Sequence, residues 1–202
     1  MGKKRRTKAE ILSACNQLAR ETRMAERTTN TSMQIICSYA LWKSKNFGAK
    51  RLHDVILLVD EYENKYMEGK IDLKEMSNKL KDEYWGKSVE YIPYTEKDIT
   101  VKKNSFDYLI DSKEIVLMNR INDFASRYMI FFFTALAEKH GYREGRIESV
   151  YQEMMKHLEL YQYDKTTVTE WRKELMDYVG IVFENPLDPN DGTRGSFLMG
   201  VV

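Results

Sequence analysis

Residues 32–84 of the chain align without a gap on residues 127–179 at a constant offset of 95. Ten of the 53 pairs are identical, among them Ile35/Ile130, Ala40/Ala135, Leu41/Leu136, Arg51/Arg146, Val55/Val150, Tyr66/Tyr161, Leu80/Leu175 and Asp82/Asp177. Chance would give roughly three, and many further pairs exchange like for like, such as Leu52/Ile147, Phe47/Tyr142 and Val59/Met154. An old duplication of one supersecondary unit is the simplest source of such a pattern. A chain built this way is expected to fold as two like units, and the periodicity inside each says of what kind.

That periodicity is helical. Leu52, Val55, Ile56, Val59, Tyr62 and Tyr66 recur at helix spacing, and Ile147, Val150, Tyr151, Met154, Leu158 and Tyr161 answer them. The preceding apolar run, Met33–Lys45, ends at Asn46, which stands opposite Gly141. Asn and Gly most readily take the left-handed conformation that ends a helix. Asp72 with Glu75, and Thr167 with Glu170, read as capping boxes opening a third helix. Its inward positions are Leu73, Met76, Leu80 and Tyr84 in one unit and Val168, Trp171, Leu175 and Val179 in the other. The polar stretch Thr28–Ser32 reads as a break between Lys8–Arg27 and Met33–Lys45, and Ser105–Phe124 as the corresponding first helix of the second unit. The expected fold is all-α, two tandem degenerate copies of a three- to four-helix unit. The expected divisions are a basic arm over 1–8, a first repeat over 9–86, an extended linker or short hairpin over 87–104, a second repeat over 105–185 and a tail over 186–202.

At 202 residues and 43% hydrophobic content the chain can bury one sizeable core, or two small ones sharing an interface. No stretch reaches 18 apolar residues, so no membrane span is expected. Cys15 and Cys37 lack ligand spacing and read as buried thiols, which suits a reducing cytoplasm. His53, His140 and His157 are scattered without metal-ligand spacing, and His140 falls where a helix C-terminus favours a cation. There is no glycine-rich phosphate loop, and Asp60, Glu61 and Glu63 read as a solvated helix face. The expectation is therefore no catalytic centre, no metal and no cofactor. The apolar end, Phe197–Val202, needs cover from the chain's own core or from a neighbouring subunit, and a homo-oligomer is expected.

The turn between the first two helices of each unit is the best candidate site. It reads Lys43-Ser-Lys-Asn-Phe-Gly-Ala-Lys-Arg-Leu52 in one unit and Glu138-Lys-His-Gly-Tyr-Arg-Glu-Gly-Arg-Ile147 in the other. Phe47, Lys50 and Arg51, and Tyr142, Arg143 and Arg146, thus stand beside a helix N-terminus. Free N–H groups and a guanidinium fork there favour an anion, and the aromatic offers a face to a base. The competing reading has Arg51 and Arg146 orient the helices by pairing with Asp82/Asp177 or Glu75/Glu170. Lys3, Lys4, Arg5 and Arg6 form a basic arm suited to nucleic-acid phosphates. The helix after the turn, however, carries little base-reading chemistry beyond Lys50, Arg51 and His53.

Asn46-Phe-Gly-Ala-Lys-Arg-Leu52 and Gly69-Lys-Ile-Asp-Leu73 resemble motifs of small, mostly helical phage and prophage proteins of Gram-positive bacteria. Those proteins carry a G-F-G-K-K-R-L-like turn between two helices. His140–Ile147, Thr167–Trp171 and Val179–Phe183 match more loosely, with Arg143 for the second Gly and Gly145 for a Lys. The resemblance implies a phage-type accessory protein acting in the host cytoplasm, in a family without an established activity. The function expected on that basis is a non-enzymatic binding protein that antagonises host defence. It would do so by sequestering a nucleotide-like, phosphate-bearing ligand or by blocking a host protein. A DNA- or RNA-binding regulator and a self-assembling structural component are the alternatives.

Overall fold

The computed structural model describes residues 7–89, 113–163 and 165–183. The arm Lys3–Arg6, the linker from residue 90 onward and the tail with Phe197–Val202 lie outside the described residues. The described chain is all-α. In order it forms α1 (Lys8–Lys45), α2 (Ala49–Met67), α3 (Leu73–Lys79), α4 (Lys113–His140), α5 (Glu144–Gln162) and α6 (Val168–Glu174). The short helices α3 and α6 each run on into a π-helical turn, Leu80–Trp85 and Leu175–Val179. No helix among the described residues is long and apolar enough to cross a membrane.

The break expected at Thr28–Ser32 does not exist, because α1 runs through it as one helix of 38 residues. The Thr29 hydroxyl donates to the Ala25 carbonyl at 2.7 Å and the Thr31 hydroxyl to the Arg27 carbonyl at 3.2 Å. Hydroxyls that bond back to the preceding turn need no water. Thr29, Thr31 and Ser32 are accordingly buried, and packing overrides their modest helix propensity. Likewise α4 is one helix, where a first helix ending at Phe124 was expected.

Local signals set the other ends. Asn46 takes φ 52° and Gly141 φ 64°, and both turns follow them as the sequence requires. Thr167 and Glu170 form a full capping box, while Asp72 accepts from the backbone N–H groups of Lys74 and Glu75. The helix ends recur at the sequence offset: Lys45 and His140, Ala49 and Glu144, Met67 and Gln162, Leu73 and Val168, Lys79 and Glu174 are each 95 residues apart.

Packing between the halves is reciprocal. α1 lies against α4, α5 and α6 and only lightly on its own neighbour α2, while α4 lies against α1, α2 and α3 and only lightly on α5. Each long helix thus completes the other half, and the buried apolar side chains form one continuous core. Charge follows this exchange. Lys43 on α1 meets Glu174 on α6 at 3.0 Å, and Glu138 on α4 meets Lys79 on α3 at 2.9 Å. These are corresponding positions with the signs reversed. Packing of each long helix on its own short helix would instead set Lys43 on Lys79 and Glu138 on Glu174.

Candidate functional site

The reciprocal packing brings the two helix-ending turns together at one end of the bundle. The ring centroids of Phe47 and Tyr142 lie 6.0 Å apart, edge to face, and His140 stands 5.1 Å from Phe47 and 6.4 Å from Tyr142. A cation covers each aromatic ring. The Arg51 guanidinium lies 4.4 Å from the Phe47 centroid and that of Arg146 5.6 Å from the Tyr142 centroid. Such contacts are worth about 0.5–1 kcal/mol at exposed sites. What the sequence offered as two separate turns is one composite surface.

The carboxylate partners suggested for the arginines are not used. Arg51 donates instead to the Asn46 carbonyl at 2.8 Å, closing its own turn. Glu170 is held by the Thr167 cap. Arg143 donates to the Ala137 and Tyr142 carbonyls at 3.2 and 2.7 Å and lies over Tyr84, so it serves the C-terminus of α4. Among the described residues no carboxylate pairs with Lys50, Arg51, Arg143 or Arg146, and all four are exposed. The N-caps of α2 and α5, Gly48 and Arg143, supply no side-chain cap to the helix starts beside them.

Electrostatics shows how closely the two halves share this end. Burial pushes the Tyr142 phenol upward, while Arg146 from its own half and Arg51 from the other both pull it down. Burial also pushes His140 below its ordinary value; Asp54 opposes this and Arg51 and Lys139 reinforce it. His140 is therefore held towards its neutral form, against the cation expected at a helix C-terminus.

Phe47 and Tyr142 are 2% and 6% exposed. Their faces are packed, so a base has no ring to stack on while the core stays closed. The open chemistry here is cationic rather than aromatic. The arm Lys3, Lys4, Arg5 and Arg6 lies outside the described residues and joins no site.

Sequence reasoning missed several polar groups that packing assembles. Glu63, read as solvated, accepts two bonds from the buried Arg127 on α4, at 3.0 and 2.9 Å. Glu138 accepts from the Tyr62 hydroxyl at 2.6 Å, and Glu174 from the Tyr39 hydroxyl at 2.8 Å. The Tyr39 ring lies edge-on to His157 and stacks on Trp171. None of these pairs is close in sequence, and no sequence motif marks them. No cluster of three or more metal-ligating side chains forms among the described residues.

Compared with models of protein families, with curated proteins and with solved structures, the chain gives no match.

Proposed function

We propose that this chain is a non-enzymatic binding protein, built from two copies of one helical unit, whose composite turn surface takes a phosphate-bearing ligand. One observation carries the reading: Arg51 and Arg146, from different halves, lie over the adjoining Phe47 and Tyr142 rings without a carboxylate partner among the described residues. Two uncapped helix starts stand beside them and add free N–H groups and the positive ends of their dipoles. Because Phe47 and Tyr142 are covered, recognition runs through the phosphate and its charge rather than through base stacking. Lys50 supplies a further exposed ammonium. The resemblance of the first turn to phage accessory proteins supports a role in the host cytoplasm, withdrawing a nucleotide-like signal from host defence.

Calorimetry with inorganic phosphate, ADP-ribose and cyclic dinucleotides tests this. The Arg146 side chain makes no hydrogen bond or ion pair among the described residues, so Arg146→Ala removes a ligand contact at the structural cost of one cation–π contact. A lost charge-assisted hydrogen bond is worth about 1.5–3 kcal/mol, or about 10- to 150-fold in affinity. Absence of heat with every member of the panel, on protein shown to be folded, overturns the proposal.

A further inference from the structure

Beside α3 the structure leaves a space whose counterpart in the other half holds packed aromatic rings. A cleft of about 200 Å³ lies between α3 and α4, lined in part by Met76, Lys79, Thr134 and Glu138. Thr134 is 1% exposed, yet its hydroxyl has no hydrogen-bond partner. Other hydroxyls along these helices do find partners: Thr22, Thr29, Ser44 and Ser126 each donate to the carbonyl four residues back. A buried hydroxyl left unpaired is costly and asks for a reason.

The corresponding place in the other half supplies one. Thr134 stands six residues before the end of α4, as Tyr39 does before the end of α1. Met76 occupies the place in α3 that Trp171 occupies in α6. In that half the Tyr39 ring stacks on Trp171, with centroids 5.5 Å apart, and its hydroxyl donates to Glu174, which Lys43 holds at 3.0 Å. In the cleft half the carboxylate and lysine remain, as Glu138 and Lys79, and Tyr62 donates its hydroxyl to Glu138 at 2.6 Å, but threonine and methionine stand where the other half has the Tyr39 and Trp171 rings. The cleft is lined by these two smaller side chains, Thr134 and Met76.

We infer that the cleft binds a small phenolic or indolic compound, its ring lying where Tyr39 and Trp171 lie in the other half. The ligand's O–H or N–H donates to Glu138, and the Thr134 hydroxyl donates to a phenol oxygen. The volume is enough for one ring, since a cavity of about 150 Å³ accepts benzene, although this cleft is open and lined also by Lys70, Asp72 and Glu75. The inference uses none of the turn cations Lys50, Arg51, Arg143 and Arg146 and does not rest on phosphate binding.

The test uses the full chain, labelled at its methionine methyl groups and titrated with phenol and with indole. The Met76 methyl resonance shifts as the cleft fills. Thr134→Val keeps the shape and removes a hydroxyl that makes no internal bond, so the fold holds while phenol binds about tenfold more weakly. Met76→Trp fills the cleft and abolishes binding; if that variant does not fold, Thr134→Val alone carries the comparison. A Met76 signal unmoved by millimolar phenol and indole overturns the inference, and so does phenol affinity unchanged in Thr134→Val.

Discussion

Replacing Arg127 by methionine should be the most damaging single change in the polar framework. Its side chain is 10% exposed and holds α4 to α2. Nε and one terminal nitrogen donate to the two Glu63 oxygens at 3.0 and 2.9 Å, and the other terminal nitrogen donates to Asp123 at 2.9 Å. The guanidinium also lies 4.9 Å from the ring centroids of both Tyr66 and Phe124. Burial opposes the charge, but Glu63 and Asp123 more than offset it and the pKa moves up. Arg127→Met fills the space and leaves Glu63, with its side chain 26% exposed, without the guanidinium that donates to both its oxygens. Removing one partner of a buried pair costs about 3–5 kcal/mol. Water reaching Glu63 puts the expected loss near the lower end, about 3 kcal/mol, or about 6–12 °C in Tm for a chain of this size. Urea unfolding followed by tryptophan fluorescence and circular dichroism measures it. Adding Glu63→Gln should recover part of the loss, since the orphaned charge is what hurts. A loss below about 1 kcal/mol, or no relief from the second substitution, would refute the argument.

Two further outcomes can be checked on the same protein. Burial pushes both His140 and His157 below the ordinary 6.5, outweighing the pull of Glu153 on His157. The folded state therefore binds protons less readily than the unfolded chain. Stability from these groups is full above about pH 6.5 and falls as pH drops through that value; a urea midpoint that held or rose between about pH 7.5 and 5.5 would contradict this. Lys43→Glu and Glu174→Lys should each destabilise by less than about 1 kcal/mol, because the side chains are 35% and 38% exposed and solvent screens them. The double exchange should restore most of the loss in thermal melts, more visibly at low salt.

The parts of the fold legible in the sequence are those governed by local chemistry. The left-handed residues at Asn46 and Gly141, the caps at Asp72 and Thr167 and the stripes of α2 and α5 depend on near neighbours, and each stands where the sequence put it. Thr28–Ser32 misled because a threonine's preference turns on whether its hydroxyl can bond back into the helix and what covers it. The π-helical turns before Gly86 and Gly180 left no sequence signal beyond the glycines themselves. At the candidate site the cations were legible and the burial of Phe47 and Tyr142 was not, because each ring is covered by the opposite turn.

The exchange of long helices was nevertheless written into the chain. A constant offset says which positions are alike, not which ones touch. Contact shows instead in paired departures from likeness. Lys43 and Glu138 differ in sign, as do Lys79 and Glu174, so opposite charges meet only when α1 packs on α6 and α4 on α3. Two identical halves could not make that distinction, and either would accept a second copy of itself. Once the charges are reversed, first-with-first pairing sets like against like, which is specificity by repulsion as well as attraction. The exchange of Tyr39 and Trp171 for Thr134 and Met76 lies on these same two contact surfaces. There the departure is in volume rather than sign, and only one half remains filled. An interface in which charge is reversed on both sides stays matched, whereas one in which volume is lost on both sides does not.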